Sequence, residues 1–276
     1  MLVLGVVLGA AVLHATWNAM AHGAVDRVAG MALLELAAGV IGLVMVLVQG
    51  LPPAGTWGYI AASAVLHLIY LGGLLASYQL GQFSQMYPLA RGTSPWVVAV
   101  VSIVVLQQKL AVGVLVGILL VSAGLIGLVF IGRPGRRQVP ALLAAVGTGL
   151  TIASYTVVDG LAVHKMPVLT YMGWVFMLQG FALPLMVIAW RGPAVLRLPR
   201  AAVLAGLGGG VVSMVAYGLV LWAQTRGTLA VIAALRETSI IFGAIIGAVF
   251  FGERFGPRRA IAAAVVVAGI VLISLE

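Results

Sequence analysis

Four charged side chains stand inside stretches that are otherwise apolar: Glu35, Arg91, Arg236 and Glu237. An arginine offers a planar fork of donors that matches a carboxylate, and a carboxylate held away from water is a candidate proton carrier or counter-ion. Arg91 lies in "YPLARGTSP", between Pro88 and Pro95, and Arg236 and Glu237 are adjacent in "ALRETS". Such groups cost ~3 kcal/mol or more when they face lipid, so they are expected to point inward, toward a cavity or one another. Two readings stay open for the arginines: lining a solute path, or pairing with Glu35 and Glu237 to hold helices together. Glu237 is the candidate proton carrier, and equally a candidate counter-ion to an arginine.

The chain around these residues has 276 residues, 63% of them hydrophobic and 8% charged, with a mean hydropathy of +1.21. A water-soluble domain of this length could not cover itself with polar surface on that composition. The chain therefore reads as an all-α membrane protein. Its pI near 10.7 suggests nucleic acid at first sight. The basic residues, however, sit in short connectors and read as topology signals, so no nucleic-acid partner is expected. With no cysteine, disulfides and thiolate chemistry are excluded. The segment from Met1 to Ala21 lacks a positive start and carries His14, Trp17 and Asn18, which suits a retained membrane helix.

About 20 apolar residues span the hydrocarbon, and proline, glycine and charge clusters divide the chain into ten such runs. They are 2–21, 28–48, 56–80, 84–106, 111–130, 139–163, 168–190, 201–225, 228–251 and 260–275. The most polar connector is central, with a basic linker at 132–137. It separates a first five-helix unit, 1–131, from a second, 138–276.

A shift of 145 residues sets Arg91 on Arg236, Thr93 on Thr238, Ser94 on Ser239, Gly73 on Gly218, Gln79 on Gln224 and Gly124 on Gly269. Five is odd, so a second copy must enter the membrane upside down. Ten transmembrane helices as two inverted five-helix repeats place a solute site near the midplane between the repeats.

Polar and aromatic residues share helical faces within these runs. His14, Trp17 and Asn18 are spaced i, i+3, i+4, and His67 and Tyr78 lie about 20° apart on a 3.6-residue period with Tyr70 on the flank. Tyr155 has Asp159 one turn on, and Ser213, Tyr217 and Gln224 share the eighth run. Pro95 removes the N–H that the Arg91 carbonyl would accept, and Pro88 does the same to Ser84. Residue 240 is isoleucine, so a kink is expected in the fourth helix and not in the ninth.

The five-plus-five pattern, with "LHATWNAMA", "YPLARGTSP" and "ALRETSIIFGAIIGAVFFGERF", resembles the EamA branch of the drug/metabolite transporter superfamily. Gly252–Glu253 and an apolar closing helix with Gly269 add to the likeness, although the first repeat has Gln107–Gln108 at the equivalent place. The resemblance implies that helices 1, 3, 4, 6, 8 and 9 surround a cavity, while 5 and 10 pack outside. Helix 2 is then not expected to face the cavity, and Glu35 reads as structural.

On this reading the chain is a secondary transporter in the cytoplasmic membrane and not an enzyme. Its partners are a small-molecule substrate and membrane lipid, it needs no cofactor or metal, and it is a monomer or homodimer. The substrate is expected to be an amino acid or a related anionic or zwitterionic amphiphile, moved outward. It would be held by His14, Trp17, Asn18, His67, Tyr70, Tyr78, Tyr87, Arg91, Ser94, Tyr155, Tyr217 and Arg236, with Glu237 coupling protons. No GxxxxGK[ST], HExxH or GxSxG occurs, which speaks against ATP drive and against an intramembrane hydrolase. A lipid flippase is the alternative of similar architecture. Ten arginines lie in connectors on one side against Lys109, Lys165 and Arg226 on the other, so both termini are expected outside the cytoplasm.

Overall fold

In a computed structural model that describes residues 2–22, 26–80, 83–130, 139–250 and 256–276, helix is the only regular structure. The α-helices are α1 Leu2–His22, α2 Arg27–Gln49, α3 Trp57–Leu80, α4 Phe83–Val104, α5 Val112–Phe130, α6 Val139–Ala162, α7 Val168–Arg191, α8 Arg200–Gln224, α9 Leu229–Arg236, α10 Ser239–Phe250 and α11 Pro257–Ser274. Six of them are long and apolar enough to cross a membrane: α1, α2, α3, α6, α7 and α8. The expected linker at 132–137 and the Gly252–Glu253 pair lie outside the described residues.

Local chemistry fixes the ends. Asp26 caps α2 by accepting from the Val28 and Ala29 amides at 3.0 and 3.1 Å, which satisfies donors that a helix start leaves open. Pro257 opens α11 where no N–H is needed. Gly50 and Gly192 close α2 and α7 with φ of 78° and 79°, a region that favours glycine.

The polarity of the molecule is inside out. Leu47, Leu119, Leu143, Leu185 and Val249 are exposed, whereas Arg91, Asp159, Gln224 and Glu237 are buried. Only an apolar solvent makes that arrangement favourable.

The helices pair in a regular way. α2 packs on α7 and α5 on α11; α3 lies on α6 and α1 on α8; α4 contacts α5 and α6, and α1 contacts α9 and α10. The α2–α7 approach is backbone on backbone. A Cβ on Gly39 would sit 2.8 Å from the Gly180 carbonyl carbon, and one on Gly180 would sit 2.5 Å from the Gly39 Cα and the Glu35 oxygen. Of the GxxxG pairs visible in the sequence, Gly206 and Gly210 press on α2 and Gly117 on the Gly269 carbonyl, while Gly5, Gly9 and Gly243 meet nothing within 4 Å.

One expectation is corrected: the ninth run, where no break was expected, is interrupted between α9 and α10, at Glu237 and Thr238, while α4 runs as one helix through Pro88 and Pro95. There the chain tightens into i→i+3 bonds: Glu237 N donates to Ala234 O, Thr238 N to Leu235 O and Ile240 N to Glu237 O. The Thr238 hydroxyl also donates to the Leu235 carbonyl at 2.8 Å. A threonine hydroxyl competing for a backbone acceptor in this way loosens the regular ladder.

Candidate functional site

A cavity of about 60 Å³ lies where α1, α2, α3, α6, α7, α8 and α9 meet. Its wall is largely aromatic, with Trp17, Tyr70, Tyr155, Phe176 and Tyr217, and it carries two opposite charges, Arg236 and Glu35. At 10–15 Å³ per water it has room for about four to six water molecules.

Arg236 enters from the last turn of α9, just before the interruption. It is 5% exposed, and its guanidinium stands 5.9 Å from the Tyr155 ring centroid, within cation–π range. Its Nε lies 3.6 Å from Glu237 Oε1. Among the described residues neither Nε nor Nη2 of Arg236 has a hydrogen-bond acceptor.

Glu237 is fully buried between two arginines. Its Oε2 lies 2.7 Å from Arg91 Nε, a close ion pair whose N–H is not aligned for a hydrogen bond. Arg91 Nη2 also donates to Ser239 Oγ at 3.0 Å. This cluster ties α4 to both sides of the α9–α10 interruption. Arg91 is therefore occupied behind the cavity and forms no part of its wall.

Glu35 and Gln179 are delivered by the α2–α7 glycine contact, since Gly39 lies one turn from Glu35 and Gly180 adjoins Gln179. Gln179 Nε2 donates to Glu35 Oε2 at 3.4 Å. Helix 2 thus does face the cavity, contrary to expectation, because the close α2–α7 approach swings both helices against the interior.

A second carboxylate, Asp159, lies next to the wall at 1% exposure. It accepts from Ser63 Oγ at 2.6 Å and from the hydroxyls of Tyr171 and Tyr217 at 2.5 Å each. These bonds join α3, α6, α7 and α8. His67 Nδ1, 2.9 Å from the Ser63 carbonyl, stands one turn along α3, and its ring stacks on Tyr155 at 4.1 Å. Trp17 Nε1 donates to His14 Nδ1 at 3.2 Å, fixing that ring against the cavity.

Of the residues singled out in the sequence, His14, Trp17, His67, Tyr70, Tyr155, Tyr217 and Arg236 share the cavity wall. Asn18 does not; its amide donates to the His14 carbonyl at 2.7 Å. Tyr87 lies instead beside Arg91, 5.9 Å from its guanidinium, and Ser94 is buried in α4 away from this wall. The Tyr78 side chain lies outside the described residues. Glu35 was singled out as a buried charge but read as structural, and Gln179, Phe176 and the Asp159 partners Ser63 and Tyr171 were not among the binding candidates.

The site is thus a buried, charged, aromatic-walled cavity inside a bundle of apolar helices. Residues 139–275, about half of the chain, match the family described as the EamA-like transporter family. The chain belongs to that family, and with its apolar helices it is a multi-pass membrane protein. A solved structure titled "Crystal structure of protein" is similar over 99% of this chain and 96% of its own, with a TM-score of 0.77 and 18% identity, a likeness of fold. No curated protein matches.

Proposed function

We propose that this chain is a secondary transporter that moves a small carboxylate-bearing amphiphile, an amino acid or a related anionic or zwitterionic metabolite, outward across the cytoplasmic membrane. The observation that carries this is Arg236, a buried guanidinium in an aromatic cavity whose Nε and Nη2 find no hydrogen-bond acceptor among the described residues. A charged donor is costly to leave unpaired, and a bound carboxylate satisfies it. Of the two roles open to Glu237, its position between Arg91 and Arg236 favours counter-ion.

The helix pairing supports two inverted repeats, 1–131 and 138–276. Exchanging α1 with α6, α2 with α7, α3 with α8, α4 with α9–α10 and α5 with α11 maps several of the main observed contacts onto one another. The α3–α6 pair becomes α8–α1, α4–α6 becomes α9/α10–α1, and α2–α7 and α5–α11 map onto themselves. Such a two-fold exchange suits alternating access, with one repeat rocking against the other.

The test uses matched probes on purified protein: L-leucine, 4-methylpentanoate, which lacks the ammonium, and isopentylamine, which lacks the carboxylate. Leucine and 4-methylpentanoate are expected to raise the melting temperature and isopentylamine to leave it unchanged, with leucine flux following in proteoliposomes. Stabilisation by the amine alone would remove the carboxylate reading.

Orientation follows from connector charge. A C-terminal fluorescent reporter that matures only in the cytoplasm is expected to stay dark, and bright cells would reverse the assignment.

A further inference from the structure

Among the described residues, the buried side chains with a formal charge are Arg91, Arg236, Glu35, Asp159 and Glu237. Two cations face three carboxylates, which leaves one negative charge in excess in a low-dielectric interior. The three carboxylates are not equally supported. Glu237 has two guanidiniums, and Asp159 has three hydroxyl donors. Glu35 has one amide N–H at 3.4 Å and no ion-pair partner among the described residues. A buried carboxylate in that position is neutralised by a proton or by a cation that comes to it.

The groups that share the cavity with Glu35 leave that place open. From α1 comes His14, whose Nδ1 accepts from Trp17. From α3 come His67, whose Nδ1 is engaged by Ser63, and Tyr70. Tyr155 comes from α6, Tyr217, which donates to Asp159, from α8, and Arg236 from α9. The one permanent cation in this wall is Arg236, and its ion-pair partner is Glu237.

We propose that Glu35 is an exchange site at which a coupling proton and the ammonium group of the cargo replace each other. With the cavity empty, the Glu35 carboxyl holds the proton and Gln179 steadies it. When the cargo enters, the Glu35 O–H bond breaks, the proton leaves through the open side, and the carboxylate accepts N–H bonds from the ammonium. Release of the cargo on the far side returns a proton to Glu35, so one proton moves inward for each cargo moved out. The cargo is then a zwitterion laid across the cavity, its ammonium on Glu35 and its carboxylate on Arg236. The cargo half rests on the transporter reading above; the proton half does not.

Infrared spectroscopy of the purified protein separates the two. At neutral pH solvent-exposed carboxylates are already ionised, so a protonated-carboxyl C=O band reports a buried acid. The band is expected in the unmodified protein, lost in the near-isosteric Glu35→Gln, and retained in Glu35→Asp. A band that survives in Glu35→Gln overturns the assignment. L-leucine is expected to abolish the band and 4-methylpentanoate to leave it. Leucine that crosses proteoliposome membranes yet leaves the band intact also overturns the exchange. If leucine is not transported at all, the amino-acid reading fails, and the Glu35→Gln spectrum alone decides the proton site.

Discussion

Replacing Glu237 with leucine is expected to cost the protein much of its stability. The carboxylate is fully buried, 2.7 Å from Arg91 Nε and 3.6 Å from Arg236 Nε. Leucine would leave two guanidiniums facing each other with no counter-charge. Breaking a buried pair from one side typically costs about 3–5 kcal/mol, because the remaining charge keeps its desolvation penalty. At a few degrees per kcal/mol for a chain of this size, the melting temperature in detergent should fall on the order of 10 °C. The double variant Arg91→Leu, Glu237→Leu removes one stranded cation as well, so it should melt above the single variant. An unchanged melting temperature for Glu237→Leu would mean that the cluster does not fix α4 to α9 and α10.

The second large effect concerns Arg236 and reads on transport, not on folding. Lysine keeps the charge but loses the planar fork, and its compact ammonium cannot present two parallel donors to a carboxylate. Losing one charge-assisted hydrogen bond, worth ~1.5–3 kcal/mol, weakens binding roughly 10- to 100-fold. Arg236→Lys should therefore lose most leucine flux while melting near the unmodified protein. Arg91→Lys is the internal comparison. Its nitrogens meet Glu237 and Ser239, contacts that an ammonium largely reproduces, so transport should persist. The opposite pattern, with Arg91→Lys inactive and Arg236→Lys active, would move the anion site to α4.

The helices were legible because hydropathy alone decides which runs span lipid: the expected 168–190 is Val168–Arg191, and 139–163 is Val139–Ala162. The interruption of the ninth run was not. Residues 229–250 contain no proline, and the tightening to i→i+3 bonds at Glu237 and Thr238 has no signal in composition. Conversely, Pro88 and Pro95 drew attention to α4, which remains one assigned helix. Seven of the twelve candidate binding residues share the cavity: helical spacing sets His14 beside Trp17 and His67 beside Tyr70, and packing of α1, α3, α6, α8 and α9 brings the rest to them. Glu35 escaped for a different reason. Its exposure to the cavity follows from the contact between Gly39 and Gly180, 141 positions apart, and no local period encodes which glycines meet. Asp159 stood out as a carboxylate in an apolar run, but its partners Ser63 and Tyr171 lie on other helices and become visible only with packing.

The size of the central void has a consequence for any affinity measurement. A space of about 60 Å³ does not hold a metabolite of amino-acid size entire, so the wall must part before the cargo is fully seated. Molecules in the shut form are then silent toward ligand, and the apparent dissociation constant equals the intrinsic one divided by the fraction standing open.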